Sequence, residues 1–544
     1  MRPLVANVVV GVVAAVVAAA VTAGIILGTL PGCADDAPAA LAVDMMRPAF
    51  HYTPRFGWVN DPNGLVYADG EWHLFYQADY ETTLHGNMSW GHAVSTDLVH
   101  WQELGVAISY DQHEQIFSGS AVVDKDCTSG LCAKAGEPVM IAIYTSYDQV
   151  PDPNSPLDDQ GHSTNRHFQS QHIASSTDRG RTWTKYAHNP VLDKKMYEFR
   201  DPKVSRRGDH WLMLVQKSEE HVLQFYKSSD LIKWGDGKGG DGPAGEFTGL
   251  GATGGVWECP DMFELPVDGD AKNTKWVLIV NINPGSRFGW GSAAQFFIGQ
   301  FDGDTFHADG DYSWLDWGAD NYATITWDSA PNGEVVAIGW MSNWQYTQVT
   351  PASTWRNAFT VPRLLELVTI DGKVRVVQNP VKNIDSLRDL SNAVHQSNLA
   401  VANDYTEPAI RGRALDIVVE FDAGSAAEFG VKVYQGEHQE TLIGYDKAKG
   451  QVFIDRRISG TVNFDALFPD RHSADLPLVG NKLKLRILVD HGSVEVFANR
   501  GEVAITDVIF PDPFKDGVSF YALNGTATVV SVDVYPMKTI HGLL

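Results

Sequence analysis

Cysteine is scarce: the 544-residue chain has four, too few for a disulfide framework and without the Cys/His spacing of a metal site. Positive charge is scarce as well, with 42 Lys and Arg against 67 Asp and Glu and a formal charge of −25. That balance argues against nucleic acid and anionic lipid as partners, since both need clustered cations; its simplest use is solubility. Beyond residue 30 no apolar run is long enough to span a bilayer. No HExxH or GxSxG occurs, so zinc hydrolysis and serine chemistry have no support. The glycine-rich stretch 237–255 has no strand-to-helix context and reads as a loop, and His85, His92, His100 and His113 are scattered loop or core residues.

What is present is aromatic and turn-rich: 11% Phe, Trp and Tyr, with fifty Gly and twenty-six Pro. At this length two or more domains are expected. Residues 1–47 form a targeting segment and linker. Arg2 precedes an apolar stretch from Val8 to Leu30, and "LPGC" then offers Cys33 as a lipidated residue. Lipoprotein, uncleaved anchor and ordinary signal peptide all remain open, and all three place the rest of the chain outside the cytoplasm. In an exported protein Cys127 and Cys132, flanking "TSGL", suit a local disulfide, while Cys259 is a free, buried thiol.

The chain echoes itself. "STDLVHW" (95–101), "STDRGRTW" (176–183) and "SSDLIKW" (228–234) share a Ser/Thr-Asp turn before an aromatic, with "FDGDTF" (301–306) a weaker copy. Each follows a β-branched, aromatic run such as "PVMIAIYTS" or "DHWLMLVQ". Repeats of this size, each a short antiparallel sheet, predict an all-β fold with a five-bladed propeller over 48–375. A linker follows at 376–394. From 395 to 544 period-two alternation, as in "KLKLRILVDHGSVEVFAN", predicts a β-sandwich.

In a propeller the innermost strands meet at a central funnel, here starting near Asp61, Ser118, Asp201, Glu258 and Tyr322. Three of the five carry an acid in a marked context: "WVNDPNG", "EFRDPKV" and "WECPDMFEL". Equivalent blade positions would bring these acids together. Two carboxyls flanking one bond are the equipment for glycosidic cleavage, one attacking the anomeric carbon and the other holding a proton. Asp61, among Asn60 and Asn63, suits the attacking role; Glu258, between Trp257 and Cys259-Pro260, suits the protonated one. Asp201 beside Arg200 is expected to stay ionised and grip substrate hydroxyls.

"WVNDPNG", "FSGSAVV", "FRDPKV" and "WECPDMFEL", in this order, resemble the signature blocks of glycoside hydrolase family 32, which holds invertases, inulinases and levanases; the likeness runs from about residue 48 to the end. It implies the propeller-plus-sandwich fold and cofactor-free, metal-free, retaining hydrolysis of β-fructofuranosides. By this resemblance Asp61 is the nucleophile, Asp201 the transition-state stabiliser and Glu258 the acid/base. Asn60, Gln77, Trp90, Phe117, Ser118 and Arg200 would shape the fructose pocket, with Trp58 and Trp340 as aromatic walls. Trp344, Tyr346 and Trp355 would offer stacking faces at the rim. The expected substrates are terminal fructosyl units of levan or inulin, and sucrose. A fructosyltransferase, a sucrose-preferring invertase and a non-catalytic fructan-binding surface lipoprotein are the alternatives. Nucleic acid is no partner, and membrane attachment would come through the N-terminus only.

Overall fold

The computed structural model describes residues 45–157, 163–352 and 354–541, apart from the side chains of 404–409. The Val8–Leu30 stretch and Cys33 lie outside the described residues, and no described helix is long and apolar enough to cross a membrane. The chain is a five-bladed β-propeller followed by a β-sandwich.

The apolar runs of the sequence become the second strand of each blade: Glu71–Asp79, Val139–Asp148, His210–Lys217, Asp270–Asn283 and Val336–Met341. These strands have blades on both faces, so stretches such as Val139–Thr145 are buried residue after residue and do not alternate. The Ser/Thr-Asp echo is a turn that closes the third strand. Ser95, Ser176 and Ser228 each donate a hydroxyl to the Asp two residues on, at 3.0, 2.7 and 3.0 Å. Each Asp then accepts backbone N–H groups of the following turn. Asp302 repeats the device for the fourth blade. Cys127 and Cys132 are disulfide-bonded in the blade II loop, Cα to Cα 5.8 Å.

The first strands are Gly57–Ala68, Glu114–Asp124, Phe199–Arg207, Val256–Val267 and Tyr322–Thr326. Each touches the next, and the fifth touches the first, which closes a ring around the axis. The chain ends of the propeller are tied by a parallel pairing of Gly57–Trp58 with Trp355–Arg356. Blade V finishes with the hairpin Arg363–Ile370/Lys373–Pro380. A short 3-10 turn, Lys382–Leu387, leads into the sandwich. There the long strand Gly517–Pro536 pairs with Glu428–Gly436 through its first half and with Leu415–Asp422 through its second, passing between the two layers.

Where propeller and sandwich meet, the contact is ionic as well as apolar. Arg456 is wholly buried and reaches Asp320 at 2.6 Å and the Tyr346 hydroxyl at 2.9 Å. His51 is clamped by Asp490 and Glu495, both at 2.7 Å. Burial alone would lower the His51 pKa, but the bonds to Asp490 and Glu495 and their charges raise it to about 9. A raised folded-state pKa gives stability that is complete below the unfolded value near 6.5 and lost as pH climbs through about 9. Asp490, held down to about 2, gives up its share only in acid. Thermal melts of the wild type should therefore fall between pH 6.5 and 9 by an amount on the order of 3 kcal/mol from this group. His51→Gln should flatten that slope; an unchanged slope would refute the clamp.

Candidate active site

All five first strands break register at one level: between Val59 and Pro62, Ile116 and Gly119, Arg200 and Lys203, Glu258 and Asp261, and Tyr322 and Ile325. Such bulges re-aim side chains, here at the axis. Sequence explains three of them, because Pro62, Pro202 and Pro260 have no N–H to continue a ladder. At Gly119 an added Cβ would lie 2.1 Å from the Ile143 carbonyl oxygen, so the bulge that presents Ser118 requires glycine. Asp201, Cys259 and Ala323 take left-handed φ values of 64°, 43° and 51°, a strain of about 1–3 kcal/mol each that the surrounding blades must hold.

One expectation is corrected by this register. Asp61 and Asp201 share the residue before the proline, but Cys259 is their equivalent in blade IV. Glu258 lies one residue earlier, level with Arg200 and Tyr322, each the last paired residue before the break in its strand. The bulge turns both residues toward the funnel, so the acids still converge.

Asp61 accepts the Ser118 hydroxyl at 2.6 Å and the Asn60 amide at 3.0 Å; Asn60 in turn accepts Trp58 Nε1 at 2.8 Å. Cys259 Sγ stands between the acids, 3.5 Å from Asp61 Oδ2 and 3.7 Å from Asp201 Oδ2. Its backbone N–H donates to Asp201 at 2.9 Å. Burial and the surrounding carboxylates push the Cys259 thiol well up, so it serves as an S–H donor. Glu258 Oε1 accepts Arg200 Nε and Nη2 at 3.1 and 3.0 Å, and its Oε2 accepts the Tyr322 hydroxyl. Arg200 also donates to Glu198 and, at 3.4 Å, to Gln169.

Burial raises the Glu258 pKa; Arg200 opposes this and the Asp61 charge adds to it. Burial is the expected cause, but Trp257 does not supply it. Trp257 turns away from Glu258, as alternate strand residues do, and packs on His221 and Phe247. Asp201 does not follow the expectation that Arg200 keeps it ionised. Burial pushes it up to about 7 against Arg200, with Glu258 and Asp61 adding. Arg200 spends its hydrogen bonds on Glu258 and Glu198 and leaves its Nε 3.9 Å from Asp201. One guanidinium among this many carboxyls leaves protons to be shared.

Asn60, Asp61, Gln77, Phe117, Ser118, Arg200, Asp201 and Glu258 line one open pocket at the funnel mouth. Trp58, Trp90 and Trp340 are wholly buried and do not line it. Trp90 donates to the Phe117 carbonyl at 3.0 Å, and Trp58 and Trp340 back Trp344. Of the three expected rim aromatics only Trp344 reaches the pocket. Tyr346 is buried at the sandwich contact, where its hydroxyl meets Asp320. Trp355 lies at the propeller closure under Arg47. Sequence reasoning missed Tyr322 as a partner of Glu258, and also missed Tyr147, Gln169, Glu198, Asn283 and the lining role of His85. Tyr322 was findable, since it opens the fifth inner strand, and so was Glu198, two residues before Arg200. The others sit at strand ends and in loops with no motif. No described group of His, Cys, Asp and Glu could hold a metal ion.

Residues 51–380 match the family model "Glycosyl hydrolases family 32 N-terminal domain", and residues 383–536 match "Glycosyl hydrolases family 32 C terminal". A levanase of Bacillus subtilis is 42% identical over 526 residues, which cover 94% of this chain and 74% of that one. An extracellular exo-inulinase of Aspergillus awamori is 37% identical over 521 residues, 91% of this chain and 95% of that one. The crystal structure of exo-inulinase from Aspergillus awamori superposes with a TM-score of 0.81 at 36% identity, covering 91% of this chain and 99% of that one. A β-fructofuranosidase from Schwanniomyces occidentalis in complex with fructosyl-erythritol gives 0.80 at 30% identity, covering 91% and 98%.

Proposed function

The chain belongs to glycosyl hydrolases family 32 and is a β-fructosidase; from that premise we propose that it is an exported, retaining enzyme that removes terminal β-D-fructosyl units from levan and inulin and also splits sucrose. The observation that carries this reading is the delivery of Asp61 and Glu258 into one pocket from blades that are not neighbours, so that they can flank a single bond. The Asp61 carboxylate attacks the anomeric carbon while Glu258 passes its proton to the departing oxygen, and a fructosyl ester on Asp61 results. Water then gives a proton to Glu258 and attacks the same carbon, which frees fructose and restores Asp61. Asp201 and Arg200 hold the fructosyl unit. Export rests on Arg2 and the Val8–Leu30 stretch and on relatives that are themselves named extracellular. The mature enzyme is then secreted or held at the cell surface.

A pocket at the axis of a ring of five touching inner strands favours chain ends over chain interiors. Incubation with levan, inulin and sucrose should release free fructose as the first product, initially as the β-anomer by NMR. Oligosaccharides appearing before fructose would overturn the exo reading. An initial α-anomer would overturn retention, and a strong preference for sucrose over both polymers would overturn fructans as the main substrate.

A further inference from the structure

Four arginines are buried among the described residues: Arg200, Arg356, Arg363 and Arg456. Three of them meet carboxylates: Arg200 with Glu198 and Glu258, Arg363 with Asp316 and Glu495, Arg456 with Asp320. Arg356 meets none. Its three hydrogen bonds all leave Nη1, for the Thr347 and Thr350 carbonyl oxygens at 2.7 Å and for Thr350 Oγ1 at 2.9 Å. Its Nε is buried without a partner. Burial lowers the Arg356 pKa, and no acid opposes it. In a chain with 67 Asp and Glu against 42 Lys and Arg, a guanidinium left alone is out of place, since a buried charge is costly until something pairs with it.

The space for a partner is there. Arg356 lines a cavity of about 50 Å³ at the seam of the two domains, with Met341 and Trp355 from the propeller and Ser493, Val508 and Phe510 from the sandwich. It is the only charged residue among those lining it. Trp355 Nε1 and Ser493 Oγ are likewise buried without partners. A water needs about 10–15 Å³ of such space, so the cavity holds on the order of four heavy atoms, too few for a sugar ring. We propose that this cavity binds a short-chain carboxylate of acetate or propionate size, its oxygens on the Nε and Nη2 edge of Arg356 and its alkyl end against Met341, Val508 and Phe510. A guanidinium edge offers two parallel N–H groups to the two oxygens of a carboxylate. Chloride would meet the charge and leave the apolar end empty. Both domains supply walls, so an occupied site ties them together. It also braces the Thr347–Thr350 turn, which Arg356 holds through Nη1 and which begins three residues after Trp344 of the active-site pocket.

The test is calorimetric titration of the full chain with sodium propionate at pH 7, against sodium chloride and propionamide at matched ionic strength. Propionate should bind one per chain with a Kd on the order of 1 mM, the scale open to so small a ligand. Chloride and propionamide should bind at least tenfold more weakly. At ten times its Kd propionate should raise Tm by about 1–2 °C. Arg356→Gln should abolish binding, but it also cuts the bonds to Thr347 and Thr350 and can unsettle the turn. Ala358→Leu fills the cavity and leaves every bond of Arg356 in place. It should abolish binding with turnover of sucrose unchanged. No heat from any of the three ligands, or undiminished binding by Ala358→Leu, overturns the site. Equal affinity for chloride overturns the carboxylate as its ligand, and equal affinity for propionamide overturns the pairing with Arg356.

Discussion

Asp61→Ala should remove turnover on every β-fructoside, sucrose and β-fructosyl fluoride included. The leaving group is irrelevant to this loss, because without the carboxylate there is nothing to form the ester. A loss on the order of 10⁴ or more is the scale seen when a nucleophile is deleted from a site that works as a unit. The variant should not unfold. Asp61 is one of several carboxyls crowded around one guanidinium, and its charge raises the pKa values of both Asp201 and Glu258. Its removal should lower both pKa values and leave the melting temperature equal or higher, the usual trade between a site's activity and its stability. Retention of more than about a tenth of wild-type rate on any substrate would sink the nucleophile assignment. An enzyme both dead and unfolded would show instead that Asp61 is structural.

The architecture was legible because its signals are local. A Ser-x-Asp turn satisfies its own backbone within a few residues, so its recurrence at 95–97, 176–178 and 228–230 marks the end of a third strand wherever it falls. Fully buried middle strands announce themselves as apolar runs for the same reason. The ionic seam between propeller and sandwich was illegible. His51 with Asp490, Arg363 with Glu495, and Arg456 with Asp320 each join residues more than a hundred positions apart, and nothing near them in sequence announces the partner. Tyr346 fell to this blindness: it looks like a rim aromatic, but Arg456 and Asp320 draw it into the seam.

Within the site, proline was the informative residue. Asp-Pro and Cys-Pro mark places where an inner strand must bulge, and a bulge at the axis is a position for chemistry. The same rule misleads by one residue at Glu258, since a bulge presents two side chains and proline identifies only the second. Charge balance was harder to read. "Arg-Asp" suggests a pair along the chain, whereas the guanidinium of Arg200 points across the funnel to Glu258 and back to Glu198.

Glu258→Ala separates the two halves of the reaction in a way that no other substitution here can. On fructans and sucrose the departing oxygen leaves as an alkoxide unless protonated, so the loss should be on the order of 10²–10⁴. On β-fructosyl fluoride the first half should be nearly spared. The second half still lacks its base, so the Asp61 ester should accumulate, visible as a rapid burst of one fluoride per enzyme followed by a slow steady state. Azide, a nucleophile that needs no base, should enter the space vacated by the side chain, relieve the slow phase and yield β-fructosyl azide. The sign of the pH effect is fixed by the same reasoning. A general acid must be protonated, so wild-type activity falls as pH rises through the Glu258 pKa, which burial has raised above the ordinary carboxylate range. In Glu258→Ala that alkaline limb should disappear, while the orphaned Arg200 remains charged beside Asp61 and Asp201. A variant equally impaired on fluoride and sucrose, with no burst and no response to azide, would remove Glu258 from the proton's path and return the acid role to Asp201, the other carboxyl whose pKa the funnel lifts.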